Sequence, residues 1–226
     1  MIWLRATWHL PAGGSPDEVD ALLRGEHVPA VRSLPGIARH RMTTALRNND
    51  GTHPSWWRGE DLFFEDDDAF ASAQGSPAWA DLWAGAFGEK IAGLWREAYD
   101  VVEAFVPDDA PAPSAGLATA LFGTWHVPPH LTPADVDPVY LDVHVPNVRR
   151  LPRLQRHTTL LTRDWPQGRH ADTWRGAEIR FADEADFRAV HSSPQYQAIR
   201  EDGFNVSVAS HHVSIYVIDE EWAPKS

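Results

Sequence analysis

The chain contains no cysteine, so disulfides, thiolate metal ligands and cysteine nucleophiles are all excluded from its chemistry. Lysine is nearly absent as well: Lys90 and Lys225 are the only basic residues that are not arginine. No apolar run approaches the roughly 18 residues that a membrane-spanning helix needs. Arg5, Thr7 and His9 interrupt the N-terminal apolar residues where a secretory core would run, so a cytoplasmic location is expected. Excess positive charge is missing too. A net charge of −12 and a pI near 5.4, with no basic patch, argue against nucleic acid or an anionic membrane as partner. Glycine-rich phosphate loops, dinucleotide fingerprints and Gly-x-Ser-x-Gly elbows do not occur. The pairs His126/His130 and His211/His212 lack acidic neighbours at ligand spacing, so no metal is expected.

What the chain does have is repetition. The stretch His27-Val28-Pro29 through Leu34-Pro35-Gly36 to Arg39-His40 recurs as His144-Val145-Pro146 through Leu151-Pro152-Arg153 to Arg156-His157, 117 residues later. At the same offset Thr7-Trp8-His9 becomes Thr124-Trp125-His126, Trp57-Arg58-Gly59 becomes Trp174-Arg175-Gly176, and Ser76-Pro77 becomes Ser193-Pro194. A gapless repeat of this length implies two copies of one domain. The division expected is residues 1–106, a Pro/Ala/Asp linker over 107–116, and residues 117–226.

Alternation over residues 2–10 reads as a strand. Ser15 before Pro16 reads as a helix start, and Val19, Leu23, His27, Ala30 and Leu34 form one apolar stripe; Pro29 within it makes a kink or a helix end expected near Val28, then a second turn to Leu34. Strands follow at 37–46 and 55–64, then a helix capped by Asp66 and broken near Ser76-Pro77, and a last strand at 98–106. In the second copy the strands are expected at 119–127, 153–163, 172–181 and 211–219 and the helices at 133–150 and 183–202. The segment Ala84–Arg96 finds no full counterpart there. The order is βαββαβ, which defines a fold class: α+β, two ferredoxin-like repeats packed sheet to sheet as an intramolecular barrel, their bare faces apolar and mutually covering.

The His-Val-Pro…Leu-Pro-Gly/Arg-x-x-Arg-His pattern resembles that of EthD-like domains, within the dimeric α+β barrel superfamily. The resemblance spans both copies and implies a tandem pair, a dimer written as a monomeric pseudo-dimer. It also implies a small-molecule enzyme of secondary metabolism, since the superfamily includes muconolactone isomerases and cofactor-free monooxygenases. The family's helix histidine matches His27 and His144. Haem is held by some related barrels, but no feature of this sequence selects it, and no cofactor is expected.

His27 and His144 occupy the apolar stripe of their helices, where an imidazole needs a hydrogen-bond partner. Each is either a satisfied core histidine or a general acid/base beside a pocket. His40 and His157 share one strand face and are either catalytic partners or structural. Arg39 and Arg156 suit an anionic substrate group or a surface ion pair. Trp57 and Trp174 suit a flat ligand or rim packing. Tyr140 and Asn147 replace Leu23 and Ala30 and make the second copy the more polar. The function expected is cofactor-independent acid/base chemistry of isomerase, cyclase or lyase type on a small hydrophobic, aromatic or polyketide-type substrate. A cofactor-free monooxygenase and a non-catalytic ligand-binding protein are the alternatives.

Overall fold

The structure is a computed structural model that describes residues 1–48, 56–112, 118–165, 173–209 and 211–225. The chain opens with β1 (Ile2–His9), whose alternate residues face two different interiors. Ser15 then accepts a hydrogen bond from the Glu18 amide to start α1 (Pro16–Leu22). The following turn, Leu23–His27, is a π-turn, and it leads into α2 (Val28–Arg32). The Val28 amide reaches back to the Leu23 carbonyl, a five-residue span that lets the helix carry Pro29 without a break. A widened turn therefore replaces the expected kink or helix end. Gly36 closes the segment at φ +73°, where an added Cβ would lie 2.8 Å from that of Ala69, a position that only glycine fills without strain.

Two antiparallel strands follow, β2 (Ile37–Asn48) and β3 (Arg58–Phe64). They lead into α3 (Asp67–Gln74), α4 (Pro77–Leu82) and α5 (Ala86–Glu89), with Asp66 and Ser76 as side-chain caps. The last strand of this half, β4 (Ala92–Phe105), starts six residues before the expected one because a bulge at Gly93 extends its pairing with β1. The remainder comprises β5 (Ala118–Trp125), α6 (Pro133–Pro138), a second π-turn (Val139–His144), α7 (Val145–Val148), β6 (Leu154–Thr162) and β7 (Arg175–Phe181). After these come α8 (Glu184–Val190), α9 (Pro194–Glu201), α10 (Phe204–Ser207) and β8 (His211–Trp222). The Ala84–Arg96 segment does have a counterpart: α5 and α10 stand 117 residues apart, with Phe87 and Phe204 at the same offset. Expected strand ends at residues 55 and 172, and linker residues 113–116, lie outside the described residues.

The strands close into one barrel in the order β1-β3-β2-β8-β5-β7-β6-β4, and every pairing is antiparallel. Register is repeated as well as order: Ile2 faces Phe64, and Thr119 faces Phe181 117 positions later. The half-sheets face one another across the barrel interior, as expected, but they also join at their edges. Their edges hydrogen-bond through β2–β8 and β4–β6, which leaves no exposed strand edge.

Helices cover the outside of the barrel over two apolar layers. The barrel interior was expected to be apolar, yet at its centre lie Arg5, Arg41, Asp61 and Glu178, all buried, among Trp3, Phe63, Tyr99, Phe122 and Tyr216. Arg41 donates from Nη2 to Asp61 at 2.8 Å and from Nη1 to Glu178 at 3.1 Å, and Asp61 also accepts from Trp3 and Arg5. Two cations thus meet two anions, and the charges cancel. Removal of one partner leaves the others buried and uncompensated. Arg41→Ala is therefore expected to lower the unfolding free energy by about 3–5 kcal/mol, measured by urea denaturation at pH 7.

Candidate active site

The two histidine-bearing helices create different environments between sheet and helices. In the first half, His27 ends the π-turn and points at the sheet. Its Nδ1 donates to the Leu82 carbonyl at 3.1 Å and its Nε2 to Glu60 Oε1 at 2.9 Å. His40, on β2, donates from Nε2 to Glu60 Oε2 at 3.0 Å and accepts from Arg32 on its other nitrogen. All three groups are buried, and Phe87 and Trp83 pack on the His27 ring. Both partners of His27 are acceptors, so an ionised Glu60 is met by a doubly donating imidazole. Burial alone would push the Glu60 carboxyl up; the charge and hydrogen bond of His27, with those of His40, outweigh it and hold it at about 2. His27 and His40 are buried and hydrogen-bonded on both ring nitrogens, and neither lines the cavity described next.

In the second half the same helix position carries His144, but its surroundings have changed. Ala177 stands 117 residues after Glu60, Tyr196 after Trp79 and Asp202 after Gly85. The smaller Ala177 and the rearranged aromatics leave a cavity of about 150 Å³. Trp125, Tyr140, His144, His157, Tyr196 and Phe204 supply its aromatic and polar lining. His144 Nδ1 lies 2.9 Å from Asp202 Oδ2, which also accepts from Asn147 Nδ2 at 3.3 Å. The other Asp202 oxygen accepts the Phe204 amide at 3.1 Å, so the carboxylate is fixed from both sides. A carboxylate only accepts, so the proton sits on Nδ1 and Nε2 carries the free lone pair.

Burial pulls the His144 pKa down, and the charge and hydrogen bond of Asp202 only partly offset it. Burial also brings His157 to about 3, helped by the positive charge of Arg149 and by His144. Both imidazoles are neutral at pH 7. Burial raises the Tyr140 hydroxyl, which remains a neutral donor. Neither its oxygen nor His157 Nδ1 has a hydrogen-bond partner among the described residues. A base, an O–H donor and an apolar enclosure are the parts needed to remove a proton beside a carbonyl and stabilise the resulting oxyanion.

The structure thus brings together His144, His157 and Tyr140, with Asn147 acting through Asp202. It places the remaining candidates elsewhere. Trp57 packs beside Trp8 in the first helical layer, and Trp174 donates to Asp137 at 3.1 Å. Arg39 and Arg156 line a crevice of about 10 Å³ at one end of the barrel, where Arg39 lies 3.4 Å from Glu221 and stacks 3.8 Å from the Phe63 centroid. Burial, with Arg41 close by, lowers Arg39 to about 10. Sequence reasoning missed Glu60 and Asp202. The adjacent acids Glu60-Asp61 inside an otherwise apolar strand were the available signal for the first. For the second, the signal was the exchange of Gly85 for Asp202 across the repeat. No group of three or more His, Asp or Glu among the described residues is arranged to hold a metal ion, and no helix among them is long and apolar enough to cross a membrane.

No protein-family model and no curated protein matches the chain. Solved structures do resemble it. An anthrone oxidase-like protein superposes with a TM-score of 0.70 at 12% identity, covering 100% of this chain and 93% of that one. A protein from Fusobacterium nucleatum described as a monooxygenase gives 0.67 at 12% identity, covering 100% and 95%. A chlorite dismutase from Candidatus Nitrospira defluvii gives 0.64 at 9% identity, covering 97% and 90%. At such identities the likeness shows the fold alone, an antiparallel α+β barrel.

The Glu60 cluster carries a pH signature. Its carboxyl titrates at about 2 when folded, against 4.5 unperturbed. The stabilisation is therefore complete above pH 4.5 and is lost as pH falls towards 2, by roughly 3 kcal/mol. Unfolding free energies measured from pH 6 to pH 2 should show this loss in the wild type. In Glu60→Gln the curve should be flatter and lie lower at neutral pH.

Proposed function

We propose that this chain is a cofactor-independent enzyme whose active site is the cavity of the second half, with His144 as general base. The observation that carries this reading is the His144–Asp202 pair on the wall of an apolar cavity, its Nε2 left as the free base. Its counterpart, His27, has both nitrogens engaged and does not line that cavity. Asp202 holds the tautomer, Tyr140 donates to the developing oxyanion, and the aromatic walls select a flat, hydrophobic substrate. The chemistry is proton abstraction next to a carbonyl, leading to isomerisation, cyclisation or loss of a small group. We further propose that residues 1–106 and 117–226 are tandem EthD-like, ferredoxin-like copies joined by the 107–116 linker. The first copy has become structural and the second has kept the site.

A cofactor-free monooxygenase is the second reading, favoured by the anthrone oxidase-like and monooxygenase neighbours. It shares the first step, because a substrate carbanion is the species able to reduce O₂. Anthrone, a tricyclic ketone with an acidic methylene, separates the readings. Deuterium exchange at its methylene in D₂O without oxygen uptake supports acid/base chemistry alone. Exchange with oxygen uptake and anthraquinone formation supports oxygenation, and binding with neither supports a carrier.

His144→Ala is expected to reduce exchange by about 10²–10⁴-fold, whereas Asp202→Asn keeps the base but misplaces its proton. The rate should fall on the acid side with a midpoint below 6.5, since burial lowers His144. In Asp202→Asn that midpoint should move lower still, because the carboxylate that raises it is gone. A midpoint unchanged between wild type and Asp202→Asn would count against His144 as the base.

A further inference from the structure

A larger cavity lies inside the barrel, on the opposite face of the sheet from the His144 site. It encloses about 550 Å³ at the end of the barrel where β1 and β5 finish, within the range of sites that hold drug-sized molecules. Its lining is paired by the 117-residue offset. Thr7 and Thr124 form one pair, and His9 and His126 another. The cavity therefore straddles the boundary between the two halves, where two identical chains would have to present identical residues twice.

The other pairs have diverged, all in one direction. The first half contributes Arg5, Trp56, Trp95 and Glu97. The second contributes Phe122, Thr173, His212 and Ser214 at the corresponding positions. One wall is consequently charged and indole-rich, the other without a carboxylate, guanidinium or indole. Two copies of one identical chain cannot build such an asymmetric site.

Arg5 sets the chemistry of the floor. Its side chain is 5% exposed; Nη1 donates to Asp61 at 2.9 Å, and Nη2 has no hydrogen-bond partner among the described residues. The guanidinium is flanked by the rings of Trp56, Phe122 and Tyr216 at 5.3, 4.6 and 4.3 Å. A buried guanidinium with a spare donor in an aromatic sleeve matches a carboxylate carried on a flat ring system. Glu97 faces Arg5 across the β1–β4 ladder, and its carboxylate accepts the Tyr99 hydroxyl. At the mouth, His9, His126 and His212 offer hydrogen bonds to polar substituents. Gly93 makes room for His9, because a Cβ there would lie 2.5 Å from the imidazole.

We propose that this barrel-mouth cavity is a second binding site, for a planar two- or three-ring aromatic monocarboxylate held at Arg5. It is separate from the His144 cavity and does not depend on the reading of that site. The test is calorimetric titration of the full chain with 2-naphthoate and with its methyl ester. The acid should bind at least about tenfold more tightly than the ester, the worth of one charge-assisted hydrogen bond. Thr173→Trp, which fills the cavity with the indole that Trp56 supplies opposite, should weaken naphthoate binding by at least about tenfold without changing the melting temperature. Asn205→Trp, which obstructs the His144 cavity, should leave it unchanged. Arg5→Lys should weaken the acid and not the ester, but it disturbs the Asp61 network, so Thr173→Trp is decisive if that variant is unstable. Equal binding of acid and ester, no binding of either, or loss in Asn205→Trp with none in Thr173→Trp would each overturn the proposal.

Discussion

The structure depends on Arg41. Its guanidinium lies at the centre of the barrel and joins Asp61 to Glu178, two acids at the same position of strands 117 residues apart. Neither half could bury its acid alone. An isolated carboxylate inside a closed barrel would be too costly to leave ionised, and two such groups facing one another would be worse. A single arginine from one half answers both, with Arg5 completing the neutrality. The interaction ties the halves together at their interior, as the β2–β8 and β4–β6 ladders do at their edges. It is also unsymmetrical, because the residue matching Arg41 is Thr158.

The same asymmetry recurs wherever the halves are compared. Outside the sheet, Glu60 in one half gives way to Ala177 in the other, and one exchange has two consequences. With Glu60 present, both imidazoles nearby are captured and the space is filled with indole and phenyl rings. With Ala177 there instead, His157 loses its acceptor, His144 turns to Asp202, and a cavity opens. A carboxylate at the Ala177 position would hold His144 and His157 as Glu60 holds His27 and His40, and would occupy the space that the cavity takes.

The order of elements was legible in the sequence because caps, breakers and periodicity are local signals. Ser15-Pro16, Asp66 and Ser76-Pro77 sit where the structure places helix starts. Barrel closure was less legible. Apolar strand faces are compatible with two stacked sheets or with one closed sheet, and only the edge pairings distinguish them. The charges inside the barrel were hidden for a related reason: Arg5, Arg41, Asp61 and Glu178 alternate along their strands as solvent-facing residues do, and only mutual pairing makes burial tolerable. The histidines on the helices were found from their place on an apolar stripe, but their chemistry was not. His27 and His144 open the same His-Val-Pro motif, and their environments differ most through Glu60, Gly85 and Asp202, residues 33 to 58 positions away.

The two cavities follow from one geometric fact. A β-strand in a closed barrel sends alternate residues to two separate compartments, so one strand can serve both without conflict. On β5, Trp125 walls the His144 cavity while its neighbour Thr124 and the ring of Phe122 face the barrel mouth. On β1, Arg5 and His9 face the mouth while Leu4, Ala6 and Trp8 pack under the helices. The compartments differ in how they relate to the pseudo-symmetry. Each helix-side compartment belongs to one half, so divergence there leaves one cavity and one filled space. The barrel mouth belongs to both halves together, so divergence there gives one cavity with two unlike walls. A chain holding both halves can therefore change each compartment independently of the other, with the Arg41 network between them as the common rigid floor.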